Sequence, residues 1–363
     1  MKKITQITFI NLLFILVSIT PLFAQTTDVL TGINRPKYLL LDGNDLYFSK
    51  TNGGVSKLDI TDSNPTEEVV YANLNGTSGI AKNGNDLYIS ESWDNKIIKI
   101  DITANPIVEV EVASSASIDA PEDLLLNGNF LYLVENYSFG NQQVSKLDIT
   151  GTFPATPTLV TSDVSEPLGI ALSGNDLYIN DYTGGEISKL DITSTLPTTT
   201  TEVVTGLSFP SEMTINGNEL YFSQDDKVYR IPDISASTPT VETLLSGLGD
   251  PYGLAISGTT LFIAEYSANK ISKVDLNTLS VDSFDIDSDD ESDVSLYPNP
   301  TNQSIQLSGL TQARSYEIYN TLGAELGAGE VADKQKIDVS YLSKGMYFLV
   351  IDSRSEPLKF VVN

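Results

Sequence analysis

The chain lacks two residue types that would widen its chemistry. It has no cysteine and no histidine among its 363 residues. Without cysteine no disulfide can cross-link the chain, so packing and hydrogen bonds alone must hold the fold. Without histidine it cannot build a Ser-His-Asp or Cys-His catalytic site, nor a histidine-ligated zinc, copper or iron site. These two absences exclude many classes of hydrolase and metalloenzyme.

Basic residues are also scarce. The sequence has 21 Lys and Arg against 48 Asp and Glu, a formal net charge of −27. Nucleic acids and anionic membranes attract proteins through basic patches, so we expect no nucleic-acid partner. The same charge keeps a protein soluble and attracts cations.

Only one long apolar run occurs, and it lies at the N-terminus. Lys2-Lys3 precede the apolar stretch Ile7–Ile19, and Leu22-Phe23-Ala24 follow it. This order predicts a signal peptide over residues 1–24, cut before Gln25. An uncleaved membrane anchor is the alternative, but the run is shorter than the roughly 20 residues that a spanning helix needs. We therefore expect no membrane span in the mature chain.

A repeated unit fills the middle of the chain. Its clearest marker is a Leu-Tyr step whose aromatic residues are separated by 41, 44, 46, 43 and 41 residues. A fixed period of this length is typical of propellers and solenoids. The six steps are Leu46-Tyr47, Leu87-Tyr88, Leu131-Tyr132, Leu177-Tyr178, Leu220-Tyr221 and Leu261-Phe262.

Each unit reads as four short strands separated by turns. In the fourth unit they are Pro167–Leu172, Asp176–Asn180, Glu186–Ile192 and Thr201–Thr205, and Ser173-Gly174-Asn175 forms the first hairpin turn. Six such antiparallel meanders predict an all-β fold, a six-bladed β-propeller over residues 25–287. Either Thr27–Thr31 or Leu279–Phe284 would complete the last blade, and we favour the N-terminal segment.

The unit rhythm resembles the NHL-like, YncE-like and SMP-30-like group of six-bladed propellers. The matching pattern is P-x-G-I-A, then L-Y-I-x-D/E, then N-x-I-x-K-x-D, and its best copies span Pro167–Asp191 and Pro251–Asp275. The resemblance covers about residues 33–287. It implies architecture only, because this fold carries many unrelated functions.

An acidic segment follows the repeats. Six acids in nine residues repel one another, which predicts a solvated linker, bounded here as 288–294. The alternative is a calcium loop, since Asp285, Asp287 and Asp289 have the first three ligand spacings of an EF-hand. That pattern then fails, because Asp290 stands where a glycine belongs and Leu296 where a bidentate glutamate belongs.

The tail, residues 295–363, is similar to the type A C-terminal sorting domain of the Bacteroidetes type IX secretion system. The matching segments are Tyr297–Pro300, Tyr319–Gly323 and Leu342–Tyr347, whereas the common closing lysine is missing. The resemblance implies a small Ig-like β-sandwich and the type IX secretion machinery as a partner. It also implies that the protein crosses the periplasm and is then secreted or attached to the outer-membrane surface.

In a propeller, first-strand starts and second-strand ends meet on one face around the channel. The first-strand positions differ from unit to unit, as a specific site requires. We therefore predict channel-face binding by Lys37, Glu122, Asp123, Glu212 and Tyr252. Aromatic residues beyond the second strands suit sugar stacking or a cationic partner. These are Trp93, Tyr137, Tyr182 and Tyr266.

Acids also recur at the second-strand ends. Because their position repeats, we interpret them as structural, accepting hydrogen bonds from the adjoining turns. They are Glu91, Glu135, Asp181 and Glu265.

Three functions follow from these patterns. The favoured one is a monomeric, non-catalytic recognition module for a glycan or a protein, with no catalytic residue assigned. The second is an SMP-30-like lactonase or hydrolase that needs a divalent cation such as Ca²⁺, with Glu122 as a metal ligand. The resemblance also requires an asparagine where Ser78, Leu168 or Tyr252 stands, and an aspartate found only one residue late, at Asp123. The third is a purely structural surface protein.

Overall fold

The computed structural model describes residues 26–136, 142–279, 294–310, 313–320, 324–351 and 358–363. The chain divides into two compact units, Met1–Ser283 and Phe284–Asn363. The predicted signal peptide, Tyr137, residues 288–293 of the predicted linker and the alternative calcium loop at Asp285–Asp290 lie outside the described residues.

Within these ranges the fold is β throughout, apart from one 3-10 turn at Leu276–Leu279. None of the described residues forms a helix with the length and apolar character needed to cross a membrane.

The first unit consists of 24 strands in chain order. They are β1 Thr27–Thr31, β2 Pro36–Asp42, β3 Asp45–Lys50, β4 Gly54–Asp59, β5 Glu68–Tyr71, β6 Thr77–Asn83, β7 Asp86–Glu91, β8 Lys96–Asp101, β9 Val110–Ala113, β10 Pro121–Asn127, β11 Phe130–Asn136, β12 Gln142–Asp148, β13 Thr158–Thr161, β14 Pro167–Ser173, β15 Asp176–Asp181, β16 Glu186–Asp191, β17 Thr201–Thr205, β18 Pro210–Asn216, β19 Glu219–Gln224, β20 Lys227–Ile231, β21 Glu242–Leu245, β22 Pro251–Ser257, β23 Thr260–Glu265 and β24 Lys270–Asp275.

These strands form six four-stranded antiparallel sheets. Sheet 1 is β2–β5, sheet 2 is β6–β9, sheet 3 is β10–β13, sheet 4 is β14–β17 and sheet 5 is β18–β21. Sheet 6 combines β22–β24 with β1, which pairs with β24 through contacts such as Asp28 with Ser272. The expectation that the N-terminal segment completes the last sheet is confirmed.

The first strand of each sheet is its innermost strand. Each inner strand contacts the inner strand of the next sheet, and β22 contacts β2. The six sheets therefore form a closed, propeller-like ring around a channel, and sheet 4 lies opposite sheet 1.

The Leu-Tyr step of the repeat is explained by burial on both sides of each sheet. Successive strand side chains point to opposite faces. Leu46 accordingly packs in a cluster with Phe262 of sheet 6, whereas Tyr47 packs with Leu87 of sheet 2. The predicted hairpin turns also form, because their glycines adopt the positive φ that those turns need, 57° to 62°. These glycines are Gly43, Gly84, Gly128, Gly174, Gly217 and Gly258.

The second unit has two sheets around one core. The strands are β25 Ser295–Tyr297, β26 Ser304–Ser308, β27 Arg314–Asn320, β28 Glu325–Val331, β29 Lys336–Asp338, β30 Gly345–Ile351 and β31 Leu358–Val362. The sheet orders are β25-β26-β29 and β28-β27-β30-β31. The core includes Ile305, Ile318, Leu349 and Phe360.

Two of the tail motifs have clear structural roles. Asn299, between the two prolines, donates to Lys359 O at 3.0 Å and accepts from Val361 N at 2.9 Å, which fixes the motif against the last strand. Tyr347 donates its hydroxyl to Ser343 O at 2.7 Å. Both motifs therefore stabilise this unit.

Candidate functional site

A charged pair occupies the channel face at the start of the inner strands. Lys37 Nζ lies 2.6 Å from Glu122 Oε2 and 2.9 Å from Ser78 Oγ. Ser78 Oγ also donates to Glu122 Oε2 at 2.9 Å. The pair joins sheets 1 and 3 across the edge of sheet 2. Both long side chains are largely buried, 13% and 15% exposed, so the ammonium and the carboxylate are held in one geometry.

Two tyrosines surround the Lys37 ammonium. Its Nζ lies 5.1 Å from the ring centroid of Tyr252 and 5.4 Å from that of Tyr38. The two rings meet edge to face, with centroids 5.5 Å apart. A cation over an aromatic face is attracted by the ring quadrupole. The structure thus brings Lys37, Glu122 and Tyr252 together with Ser78 and Tyr38, and a binding role for the three predicted residues stays a prediction.

Tyr38 crosses the channel. It is 3% exposed, and its hydroxyl donates to Leu168 O of the opposite sheet 4 at 3.3 Å. Burial, reinforced by Tyr252 and Glu122, raises the pKa of Tyr38 well above its usual value. Tyr38 directly follows the predicted site residue Lys37, but a tyrosine that spans the channel leaves no signal in the sequence.

Asp123 lies beneath this pair. It is 6% exposed, Oδ1 accepts from its neighbour Leu124 N at 2.7 Å, and Oδ2 accepts from Ile170 N at 2.9 Å. Burial raises the pKa of Asp123 to about 7, despite the two amides that favour its charged form. Among the described residues, Asp123 has no ion-pair partner.

Glu212 of sheet 5 lies at the same level and is also 6% exposed. Its Oε1 accepts from Met213 N at 3.0 Å, while Oε2 is buried without a hydrogen-bond partner among the described residues. Burial, and after it the negative charge of Asp123, raises the pKa of Glu212 well above its usual range. The structure buries both Asp123 and Glu212, and a role for them in channel-face binding stays a prediction.

Glycines alternate with these three side chains around the ring. A Cβ on Gly79 would lie 2.5 Å from Glu122 O, and one on Gly253 would lie 2.5 Å from Lys37 O. A Cβ on Gly169 would lie 3.0 Å from Glu212 Oε2. Glycine therefore allows neighbouring inner strands to approach closely. The result is a buried layer across the channel, which we call the plug: Tyr38, Gly79, Asp123, Gly169, Glu212 and Gly253.

The plug divides the channel. On one side lies the mouth with Lys37, Glu122 and Tyr252, all half-buried. On the other side is a cavity of about 390 Å³. Tyr38 and Asp123 line its inner end, and every inner strand contributes one residue to the tier below: Leu39, Ile80, Leu124, Ile170, Met213 and Leu254.

Exposed aromatics lie around the mouth. Trp93 is 60% exposed and packs over Gly76, where a Cβ would come 2.5 Å from the indole Cγ. Tyr182 contacts Phe209 with centroids 4.9 Å apart, and Phe209 is 50% exposed. The composition of the turn before Pro210 gave no reason to select Phe209.

Tyr266 lies beside Arg35, whose guanidinium carbon is 5.5 Å from the ring centroid. Its face is therefore partly occupied by a cation of the protein itself.

The acids at the second-strand ends have the structural role that was predicted. Each accepts a backbone N–H from the turn that precedes its sheet: Asn75 N to Glu91 at 3.0 Å, Asp119 N to Glu135 at 3.1 Å, Glu166 N to Asp181 at 3.0 Å and Gly249 N to Glu265 at 2.8 Å. Gln224 accepts from Ser208 N in the same way, and Lys50 instead pairs with Glu67.

The residues around Glu122 do not fit a divalent metal. In the described part of the chain no three acidic side chains converge as a metal site would require. The Lys37 ammonium is bonded to Glu122 Oε2, so this carboxylate already has a cationic partner. An ammonium and a divalent cation would repel each other at this distance.

Residues 295–363 match the Por_Secre_tail family, described as a secretion system C-terminal sorting domain. This domain places the protein among those exported by the type IX secretion system, either to the cell surface or into the medium. It also implies contact with that machinery. No curated protein matches the chain.

Several solved structures are similar to the first unit. Virginiamycin B lyase from Staphylococcus aureus is 18% identical with a TM-score of 0.51, covering 69% of this chain and 98% of that one. A chain of the nidogen/laminin complex is 14% identical with a TM-score of 0.54, covering 65% and 90%. A putative oxidoreductase (glucose dehydrogenase) from Thermus thermophilus is 12% identical with a TM-score of 0.52, covering 69% and 99%. At these identities the likeness shows the fold alone, and it confirms the predicted propeller-like fold.

Proposed function

We propose that the first unit is a six-bladed β-propeller of the NHL-like and SMP-30-like group, and that it acts outside the cell as a non-catalytic recognition module. Its ligand, a glycan or a protein, binds on the channel face around Lys37, Glu122 and Tyr252. The second unit, an Ig-like sandwich in this proposal, serves export.

One observation supports this proposal above the others. The only tryptophan of the chain stands 60% exposed on the same face as the Lys37–Glu122 pair. Exposed aromatic faces stack on sugar rings, and polar groups nearby orient their hydroxyls. This combination favours a carbohydrate, and a protein ligand is the second outcome of the test.

Catalysis has weaker support. A histidine-to-alanine variant of the structurally similar virginiamycin B lyase is described as catalytically inactive, and this chain contains no histidine. The lactonase alternative requires a cation at Glu122, where the Lys37 ammonium already lies. Ca²⁺ therefore stays a prediction of the alternative.

The test is binding of the purified full chain to a glycan array and to cell-surface proteins, compared with three variants. We expect Trp93→Ala and Phe209→Ala each to lower the affinity for the ligand at least tenfold. Phe130→Ala is the matched control, because Phe130 is also exposed (38%) but lies at the opposite end of its strand. Equal binding by all four proteins would refute the channel-face site. Hydrolysis of a lactone that Glu122→Gln abolishes would favour the enzyme alternative.

A further inference from the structure

In two of the sheets, the acid at the end of the second strand is paired with a lysine of the third strand. In sheet 2, Lys96 stands directly across from Glu91, and its Nζ lies 2.8 Å from Glu91 Oε1. In sheet 6, Lys270 stands directly across from Glu265, with Nζ 3.3 Å from Glu265 Oε1. The third strand of these sheets therefore supplies a cation for the acid beside it.

Sheet 4 has an acid where these sheets have the lysine. Glu186 of β16 stands directly across from Asp181 of β15, so two carboxylates occupy opposed positions of neighbouring strands. Like charges in this arrangement destabilise a sheet. The repeat therefore leaves sheet 4 without the cation that sheets 2 and 6 carry.

Two further acids lie close to this pair. Burial raises the pKa of Glu186, and the negative charge of Asp181 raises it further. Glu202 and Asp163, both exposed, act in the same direction. Among the described residues no lysine or arginine forms an ion pair with any of the four acids, and Lys189 of the same strand is bonded at the opposite end of the sheet.

A buried hydroxyl beside these acids also lacks a partner. Ser188 follows Glu186 by two positions on β16, so both side chains lie on the same face of the sheet. At the equivalent positions of sheets 3 and 6, Ser145 and Ser272 donate to Oε1 of the second-strand glutamate at 2.7 Å and 2.5 Å. Ser188 is 0% exposed, and its Oγ has no hydrogen-bond partner among the described residues.

Asp181 does not take the place of that glutamate. Its carboxylate accepts backbone N–H groups from Glu166 at 3.0 Å and from Gly184 at 2.8 Å. An aspartate is one methylene shorter than a glutamate, and its oxygens bond to these turns but not to Ser188 Oγ. The groups left for a ligand are therefore the Glu186 carboxylate and the Ser188 hydroxyl.

This group of residues lies where sheet 4 meets sheet 3. Ile179, directly across from Ser188, packs in a cluster with Val134 and Val144 of sheet 3. Glu186 is half-buried, and the exposed Asp163 lies in the connection between the two sheets. A ligand can therefore reach Glu186 from solvent, and none of these residues belongs to the proposed channel-face site.

We propose that this place between sheets 3 and 4 binds a primary alkylammonium group, which fills the role of the third-strand lysine of sheets 2 and 6. The ammonium donates to Glu186 and to Ser188 Oγ, because it has three donors and no acceptor. Glu202 and Asp163 attract a second positive charge on the same ligand. The ammonium belongs either to a free diamine or to a lysine of a partner protein. A divalent metal fits less well, because no three acidic side chains converge as metal ligands in the described part of the chain.

The experiment is calorimetric titration of the full chain at about 0.15 M salt, which screens loose association of cations with an acidic protein. Three probes share one five-carbon chain: 1,5-diaminopentane, its bis(trimethylammonium) analogue and 1,5-pentanediol. We expect the diamine to bind one-to-one and at least fivefold more tightly than the analogue, which has the same charge but no N–H to donate. The diol should not bind. Equal affinity of the two dications, or no binding of the diamine, would overturn the proposal.

A fourth probe, a blocked glycine-lysine-glycine peptide, distinguishes the two sources of the ammonium. Tighter binding of the peptide than of the diamine would assign the site to a lysine of a partner protein. Weaker binding of the peptide would assign it to a free diamine. Calcium that displaces the diamine and binds more tightly would overturn the proposal in favour of a metal site.

Variants locate the site. Glu186→Lys supplies the missing ammonium from the chain itself, so it should abolish diamine binding and raise the melting temperature by removing the like-charge pair. The matched control is Glu111→Lys, the same charge change at an exposed position of sheet 2, which should leave diamine binding unchanged. Ser188→Ala should weaken the diamine at least threefold without lowering the melting temperature, since this hydroxyl has no partner in the free protein. Diamine binding that survives Glu186→Lys, or that falls equally in Glu111→Lys, would contradict the assignment.

Discussion

Two sets of acidic side chains surround the channel, and their carboxylates are used differently. The rim acids, Glu91, Glu135, Asp181 and Glu265, recur at the same position of their sheets, and each accepts a backbone N–H from the preceding turn. Among the channel acids, Glu122 has no acidic equivalent in another sheet, whereas Asp123 and Glu212 stand at the same position of sheets 3 and 5, where the other four sheets have tyrosine or glycine. Glu122 is bonded to Lys37, and Asp123 accepts a backbone amide of sheet 4. Glu212 has one buried oxygen without a hydrogen-bond partner among the described residues.

The rim position needs an acceptor for the preceding turn, so it carries an acid in four sheets and a glutamine in sheet 5, while Lys50 of sheet 1 pairs with Glu67 instead. A site that binds one ligand in one orientation needs residues that differ around the ring, and Lys37, Glu122 and Tyr252 differ from their equivalents in this way. Burial alone does not distinguish the two sets, because Glu135 and Glu212 are both nearly inaccessible to solvent.

The largest expected effect is the loss of a rim acid. Glu135 accepts from Asp119 N at 3.1 Å, Gln143 Nε2 at 2.8 Å and Ser145 Oγ at 2.7 Å. Glu135→Ala leaves these buried donors unpaired, which should lower the free energy of unfolding by about 4 kcal/mol. Urea unfolding followed by the fluorescence of Trp93 in sheet 2 measures it. The control is Glu135→Gln, which keeps the shape and should cost less than half as much. Equal stability of the alanine and glutamine variants would disprove the structural role.

The next effect concerns the channel acid Asp123. At neutral pH, its replacement should raise the free energy of unfolding, whereas the loss of a rim acid lowers it. Burial raises the pKa of Asp123 from its ordinary value of 3.8 to about 7, so between these values the folded protein keeps a proton that the unfolded chain has released. Its contribution to stability is therefore present at low pH and is lost as the pH rises through 7.

Asp123→Asn removes this titration. The free energy of unfolding of the variant, relative to the wild type, should rise by on the order of 3 kcal/mol between about pH 4 and pH 8. Parallel urea titrations across this range test it. Asp191→Asn serves as the control, because hydrogen bonds from Thr193 lower the pKa of that exposed carboxyl instead. A pH-independent difference between Asp123→Asn and the wild type would contradict the burial of a protonated carboxyl.

Much of the fold could be predicted from the sequence because it is built from a repeat. The Leu-Tyr step predicted a propeller or solenoid through its period, and the structure shows that Leu46 and Tyr47 pack against different neighbouring sheets. The positive φ of Gly43 and its equivalents followed from the hairpin turns. The closing pair β1 and β24 was one of two alternatives, since Thr27 and Lys273 are far apart in sequence and no local pattern links them.

The candidate site could be predicted only in part. Repeat alignment identified the ring positions of Lys37 and Glu122, but not their pairing, because that pairing depends on the distance between sheets 1 and 3. The plug is likewise invisible in the sequence, where Tyr38 and Gly79 are merely equivalent positions. Only the closed ring shows that Tyr38 reaches the opposite sheet and that the glycines allow neighbouring inner strands to approach closely.

The most direct test of the distinction between the two sets of acids compares the same substitution in each. At pH 8, Glu265→Gln and Glu212→Gln would be unfolded with urea under identical conditions. Glu265 accepts from Gly249 N at 2.8 Å and Ser272 Oγ at 2.5 Å, whereas Glu212 has a buried oxygen with no partner among the described residues. We predict that Glu265→Gln loses about 2 kcal/mol of stability and that Glu212→Gln is at least as stable as the wild type. Equal losses in both variants would contradict the account.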